Sequence, residues 1–432
     1  MATTAAVRRS LGSAGLWRPV LRAAALAAGA YGFLVFVIAP LTGHFNGEFE
    51  DFNAYLGAAQ ASAAHGDIYG AFTQQSQNVA LSGFDYPPLV ALLVTPLAWM
   101  PLHTSQVVWL LTGVAATLTG AIIVCRALLL STWPRLELAV LATFTYAPAT
   151  YNFWHGQMNP LVFLLLALAL REWVRGRELS CGAIIGAAAA IKLAPIVLLV
   201  LFVRRGWWKG IAMGAGVVAL SLAAGVAAFG THTMYEYAHS VLPVLSRDDG
   251  WLYNQSWNGV VNRLADHSVL VFQPSTLATR VPAPLLSAAG VIAAGWAVRR
   301  SVESTERRGA QFGAAVVAML LAGTITWYAH DIHLLIPLAA AAALAAASRG
   351  AARLLWIASA VTLLATAVLA PLLIAAANMT AIVNASHRAF WWLLLQVASL
   401  PALACGALLA SLVVALRSKA IAPSRAAQAA AA

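Results

Sequence analysis

Apolar runs recur along the whole of this chain, separated by short connections that are alternately basic and acidic. The runs are Ala23–Leu41, Val107–Leu130, Leu138–Ala147, Pro160–Leu170, Cys181–Ile191, Pro195–Val203, Ile211–Phe229, Leu285–Val298, Phe312–Trp327, Ile332–Ala347, Leu354–Ala377 and Phe390–Leu416. A helix needs ~20 mostly apolar residues to cross a bilayer. The pattern therefore predicts an all-α polytopic membrane protein of about twelve spans, some of them short, with both termini on the same side. Leu89–Leu102 is apolar but short, and Pro96 and Pro101 interrupt it. Counting it as a crossing would move Arg126 and Arg135 to the acidic side and invert every later connection, so it reads as re-entrant or interfacial. Ala23–Leu41 follows a basic arm and precedes acids rather than a small-residue cleavage site, which predicts a retained span.

Composition changes this picture only by excluding alternatives. The chain is 61% hydrophobic and 9% charged, with mean hydropathy +0.78, whereas about a quarter of a soluble domain is charged. A formal net charge of +11 raises the question of nucleic acid, but its placement answers differently. Lys and Arg gather around Arg8–Arg22, Arg126–Arg135, Arg171–Arg177, Arg204–Lys209, Arg299–Arg308, Arg349–Arg353 and Arg417–Arg425. The other connections hold Glu48, Glu50, Asp51, Asp67, Asp85, Glu236, Asp248, Asp249, Asp266 and Asp331. By the positive-inside rule the basic connections are cytoplasmic, so membrane lipid is the expected partner and nucleic acid is not. One integral-membrane domain is expected over 1–420, with outer connections 42–106, 148–159, 230–284 and 327–331 and a disordered cytoplasmic tail over 421–432.

The acidic side collects the candidate chemistry. EFEDFNAY places Glu48, Glu50 and Asp51 together after the first span, where a membrane enzyme acting on lipid-linked sugars would keep its carboxylate. Lys192 and Pro195 separate two runs too short to cross comfortably, so Lys192 either snorkels or meets an anion such as a lipid-carrier phosphate. The segments YNFWHGQMNP (Tyr151–Pro160), YNQSWNGVVNRL (Tyr253–Leu264) and TWYAHDIH (Thr326–His333) are rich in aromatics and amides. An interfacial belt accounts for the aromatics but not for the amides, which suit sugar hydroxyls. Cys125, Cys181 and Cys405 lie in or beside apolar runs and suggest neither a disulfide nor a metal cluster.

In order along the chain, EDFNAY (Glu50–Tyr55), FDYPP (Phe84–Pro88), HGQMN (His155–Asn159), AIKLAP (Ala190–Pro195), NQSWNG (Asn254–Gly259) and TWYAH (Thr326–His330) resemble the polyprenyl-phosphate-mannose-dependent mannosyltransferases of the mycobacterial envelope, members of the C-type glycosyltransferases. The resemblance covers roughly residues 48–340 and implies the GT-C fold and inverting transfer from a polyprenyl-phosphate-sugar donor. Its implied acceptor is a glycolipid or polysaccharide at the periplasmic face of the inner membrane. It also implies that Asp51 is the catalytic base and His330 a functional histidine, with substrate contacts from Tyr86, Gln157, Asn159, Lys192, Asn254, Gln255, Trp257, Asn258, Arg263 and His333. Relatives often carry paired histidines where this chain has Ala329 and His330, so His330 and His333 both stand as the working histidine.

The chemistry matches: a carboxylate takes the acceptor's proton, while cationic and hydrogen-bonding groups hold charge on the leaving phosphate. Neither cofactor nor metal is expected, and no DxD motif of nucleotide-sugar enzymes is present. The donor sugar reads as mannose, with arabinofuranose as the alternative. A lipid or sugar transporter would share the span pattern, but it would more naturally show repeated halves and mid-bilayer charges. A non-catalytic scaffold would leave the polar outer segments unexplained.

Overall fold

The computed structural model describes residues 14–45, 47–64, 66–70, 83–129, 133–266, 274–298, 304–348, 350–373, 375 and 397–418. The expected tail 421–432 lies outside the described residues, as do Leu130, Arg299, Arg300, Arg349 and the part of the last two expected spans covered by 376–396.

The regular elements among the described residues are helical, with one isolated antiparallel bridge between Asn254 and Trp327. Helix α1 (Ala14–Phe33) continues through a π turn, Leu34–Ile38, to Leu41. There follow α2 (Glu50–Ala63), α3 (Pro88–Ala98), α4 (Leu102–Leu128), α5 (Arg135–Phe144), α6 (Ala147–His155), α7 (Asn159–Arg175) and α8 (Glu178–Ile191). After a 3-10 turn, Ala194–Leu198, come α9 (Leu199–Arg205), α10 (Trp208–Glu236), α11 (Trp257–Val261), α12 (Leu277–Arg280), α13 (Pro282–Ala297) and α14 (Thr305–Ala322). A second 3-10 turn, Tyr328–Leu334, leads into α15 (Leu335–Ala347), which is followed by α16 (Ala352–Leu364) and α17 (Leu400–Arg417).

Seven stretches of the described residues are long and apolar enough to cross a membrane: Trp17–Leu41, Leu102–Leu128, Trp208–Leu245, Leu277–Ala297, Tyr328–Ala347, Ala352–Leu373 and Leu400–Arg417. This is a multi-pass membrane protein. The other expected spans fall on α5, α7, α8, α9 and α14, which are shorter or carry charges at an end. These helices are therefore held by packing inside the bundle as much as by lipid. α14 is buried on every face from Gly309 to Leu321, as a central helix must be. It packs on α13, α15 and α17, and touches α7. On the other side, α7 packs on α4 and α8, and α8 on α10.

Small residues permit the α8–α10 contact. Gly182 and Gly186 on α8 face Gly210 and Gly214 on α10, four residues apart on each helix. A Cβ built on Gly186 would fall 2.5 Å from the Gly214 carbonyl oxygen, and one on Gly214 would fall 2.8 Å from that of Gly182. Close backbone approach of this kind replaces the hydrophobic driving force that lipid does not supply between helices.

The segment expected to be re-entrant is α3 and the turn after it. Its 11 residues span only ~16 Å, against a hydrocarbon core of ~30 Å. Ser105 Oγ in the first turn of α4 donates to Leu97 O at 2.8 Å. The next residue, Gln106, donates through Nε2 to Asn53 Oδ1, and one turn on Trp109 Nε1 donates to Gly156 O. α3 itself packs on α2, so the segment lies beside that helix. The outer connections carry helices of their own: α2 and α3 lie in the first and α6 in the second, and after a kink at Gly230 the helical run begun by α10 extends to Leu245.

Candidate active site

The first turn of α2 is seated by an aromatic cluster. Phe45 stacks on Trp154 at 4.6 Å and Phe52 on Trp109 at 5.2 Å between ring centroids. Phe49, immediately before the helix, takes a left-handed conformation (φ 49°, ψ 23°) that a bulky side chain rarely adopts. Its N–H donates to Trp154 O at 3.1 Å. Gly156 ends α6 at φ 67°, and a Cβ there would lie 2.6 Å from Phe52 Cβ. The tight joint between α2 and α6 brings Asp51 to Gln157, whose Nε2 donates to Asp51 Oδ2 at 2.6 Å.

From there a polar chain crosses the site. Asn159 Nδ2 donates to Gln157 Oε1 at 3.2 Å and to Asn152 Oδ1 at 3.0 Å. Lys192 Nζ donates to Asn159 Oδ1 at 2.9 Å and to Tyr86 OH at 3.4 Å, and it stands 5.4 Å from the Tyr86 ring centroid. His330 Nε2 lies 2.5 Å from Lys192 Nζ. Since an ammonium can only donate, this contact assigns the lone pair to Nε2 and the proton to Nδ1. Asn152 Nδ2 fixes the turn that carries His330 by donating to Ala329 O at 2.8 Å.

These groups open into one cavity of about 360 Å³, lined by Asp51, Asp85, Tyr86, Gln157, Lys192, Trp327 and His330, with Leu193, Ile196, Val197, Leu242, Leu245 and Met319 among its apolar walls. The volume suits a sugar ring with its phosphate. Burial is the largest influence on Asp51, and with the nearby charges of Glu50 and Asp85 it raises the carboxyl to about 7, against the opposing pull of His155 and Lys192. Burial likewise lifts Asp85 to about 6, with Lys192 opposing. Glu50 moves the other way, held below its usual range chiefly by its hydrogen bond to His155. Asp51 is thus the carboxylate poised near neutral pH.

At the rim, Glu48, Glu50 and His155 bring ligand atoms within 4.8 Å of one another, residue types that could hold a divalent cation. Both glutamates are exposed, and His155 Nδ1 already contacts Glu50 Oε1 at 3.0 Å.

Of the residues singled out in the sequence, Asp51, Tyr86, Gln157, Lys192 and His330 line the cavity, and Asn159 lies directly behind it. His333 does not line it; it is buried one turn further on, stacked against Phe163 at 6.4 Å. The NQSWNG residues and Arg263 are also elsewhere. Asn254 Nδ2 and Asn258 Nδ2 both donate to Thr324 O at 3.0 Å, while Thr326 N donates to Asn254 Oδ1 at 3.0 Å. The Gln255 N–H donates to Thr326 O at 2.6 Å. Trp257 packs at Gly406 of α17. Arg263 is fully buried and donates to Ser399 Oγ, Trp251 O and Asn254 O. Together they hold the non-helical strap 323–327, whose Thr324, Ile325 and Trp327 form a cavity wall. Buried irregular backbone needs such partners. Sequence reasoning kept Asp85 only as a reserve base behind Asp51 and passed over Trp327, although the FDYPP and TWYAH motifs contain them and both line the cavity. Asn152 lies in the amide-rich segment YNFWHGQMNP but was not singled out within it.

Residues 84–324, more than half of the chain, match glycosyltransferase family 87. The chain is 28% identical over 227 residues to the polyprenol-phosphate-mannose-dependent alpha-(1-2)-phosphatidylinositol pentamannoside mannosyltransferase of Mycolicibacterium smegmatis, covering 51% of this chain and 53% of that protein. The protein of the same description from Mycobacterium tuberculosis is 25% identical over 300 residues, 66% of this chain and 64% of its own. A polyprenol-phosphate-mannose-dependent alpha-(1-2)-phosphatidylinositol mannoside mannosyltransferase of Mycobacterium tuberculosis is 27% identical over 320 residues, 66% and 68% of the two chains. The chain thus spans about half the length of the first of these relatives and somewhat under two thirds of the second. No solved structure matches it.

Proposed function

The chain belongs to glycosyltransferase family 87, and on that premise we propose that it transfers a sugar, mannose, from a polyprenyl-phosphate carrier to a glycolipid or polysaccharide acceptor at the periplasmic face of the inner membrane, with inversion at the anomeric carbon. The observation that carries this reading is one cavity lined by Asp51 together with the paired Lys192 and His330. The printed descriptions of the relatives make polyprenol-phosphate-mannose the first donor to test and phosphatidylinositol mannosides the first acceptors.

In this scheme Asp51 takes the proton of the incoming hydroxyl as its oxygen attacks the sugar's anomeric carbon. The bond from that carbon to the phosphate oxygen breaks, and its electron pair leaves on the carrier phosphate. Lys192 meets that charge as it grows, in surroundings where a fixed cation acts more strongly than in water. Tyr86 and Trp327 offer ring faces to the sugar, and Gln157 orients the base.

The polarity of the bundle supports the outward-facing assignment. Arg126, Arg175, Arg204, Arg205 and Arg417 occupy the last turns of α4, α7, α9 and α17, and Arg307 and Arg308 the first turn of α14. These ends lie away from Asp51, and the positive-inside rule makes them cytoplasmic.

The test is to incubate purified protein in nanodiscs with a phosphatidylinositol mannoside and either radiolabelled polyprenyl-phosphate mannose or GDP-mannose. A labelled glycolipid should form from the lipid-linked donor alone. Transfer from the nucleotide sugar without a lipid carrier sinks the reading.

A further inference from the structure

At the end of the bundle opposite Asp51, a second polar cavity of about 370 Å³ opens between α4, α7 and the start of α14, lined by Arg126, Arg171, Arg175 and Thr305 with Ile123, Ala127 and Val174. Its charge is not balanced internally. One buried carboxylate, Glu172, serves three guanidinium groups: Arg171 Nε at 2.8 Å, Arg177 Nη1 at 3.4 Å and Arg175 Nη1 at 3.5 Å. Arg126 has no hydrogen-bond or ion-pair partner among the described residues, and Arg308 spends its Nη1 on Val174 O at 2.9 Å. Even with Glu306 of the first turn of α14 set against them, the cations outnumber the acids. Thr305 adds a hydroxyl and the positive end of an 18-residue helix.

We propose that this crevice binds the phosphate of an anionic phospholipid of the cytoplasmic leaflet. Three observations favour a lipid over a soluble anion. The cavity sits between helices, its remaining wall is apolar, and it lies at the basic end of the bundle, where the positive-inside rule places the cytoplasmic headgroups. Planar guanidinium groups match phosphate oxygens in paired hydrogen bonds, and basic pockets between spanning helices take lipid phosphates by the same chemistry. The site lies outside the transfer chemistry, so it stands or falls separately from the proposed function.

The experiment titrates the full chain, purified in a non-ionic detergent, with short-chain phosphatidylglycerol, with phosphatidylcholine and with inorganic phosphate, reading bound lipid by native mass spectrometry and the unfolding temperature. Phosphatidylglycerol should bind and raise the unfolding temperature, and phosphatidylcholine should do neither. Arg126→Gln should weaken phosphatidylglycerol about tenfold, the size of one charge-assisted hydrogen bond, and Arg126→Gln with Arg175→Gln should weaken it further. Arg126→Lys should retain most of the binding, because a point charge still meets a phosphate. Neutralising Arg22, whose partner is Glu137, should change nothing. Since Arg126 has no partner among the described residues, its variant should fold as the parent does. Equal affinity in the double variant and the parent overturns the proposal. So does an equal response to inorganic phosphate at matched concentration, which would make the site one for a free anion.

Discussion

Asp51 carries the most direct test at the scale of single residues. Asp51→Asn keeps an oxygen for the Gln157 amide but cannot take a proton, so kcat should fall by the roughly 10²–10⁴-fold that general-base catalysis supplies. Donor binding should stay within about twofold of the parent, and near-parental turnover in this variant would reduce Asp51 to a solvating role. The pH profile carries a second signature. With its folded-state carboxyl raised to about 7, Asp51 is protonated below that pH and basic above it, so kcat/KM should climb with pH and level off past 7. Its contribution to stability runs the other way: it is fully present below the unfolded carboxyl's value and is lost as pH rises through 7. Lys192→Ala should weaken binding of the polyprenyl-phosphate product together with turnover, while His330→Ala should cost far more activity than His333→Ala, because only His330 faces the cavity. Lys192 was legible in the sequence because an ionisable group between apolar runs is costly to keep without a use, whereas Asp51 stood out in an acidic connection and His330 through the family resemblance. Arg263, by contrast, lies away from the cavity lining and bonds protein oxygens. A buried arginine looks the same in sequence whether it meets a phosphate or three protein oxygens, and only coordinates separate the two.

Elements were legible where hydropathy alone decides them, and obscure where packing does. The spans on α1, α4, α13 and α17 follow from apolar length, and the structure places them accordingly. Gly230, with φ 81°, reads as a break after Phe229, yet the helix resumes beyond it. Thr233 Oγ1 donates to Phe229 O at 3.0 Å across the kink. α6 did carry its signals, a proline at its start and a glycine past its end; its aromatic and amide content drew attention to binding instead. The paired glycines of α8 and α10 give this scale its prediction. Gly186→Leu would push a side chain into the backbone of Gly214, and overpacking of this kind costs ~1–3 kcal/mol. The yield of monodisperse protein and its unfolding temperature should both drop. Gly216→Leu is the control, since a Cβ there meets nothing within 4 Å, and an equal loss in both variants would show that the helix pair is not held by close backbone approach.

For the whole molecule, the decisive property is which end faces out. The sequence expressed it as basic and acidic connections, and the structure gathers the two kinds at opposite ends of one bundle: Asp51, Asp85 and His330 share a cavity at one end, while Arg126, Arg171 and Arg175 share another at the other. The count of crossings turns on α5, α7, α8 and α9, which were expected as spans and are each shorter than the ~20 residues a helix needs to cross. Sidedness can be measured without settling that count. The three native cysteines are all buried, so an impermeant thiol reagent should find almost no background. Glu48 is exposed at the rim of the Asp51 cavity, and Lys209 is exposed at the start of α10 beside the arginines of α9. Glu48→Cys should therefore label rapidly in intact cells, whereas Lys209→Cys should label only after the membrane is opened. Labelling of Lys209→Cys from outside, with Glu48→Cys protected, would invert the bundle and put Asp51 on the cytoplasmic side. Transfer would then have to draw on a donor presented there, and the proposed periplasmic reaction would be wrong even with every residue of the cavity in place.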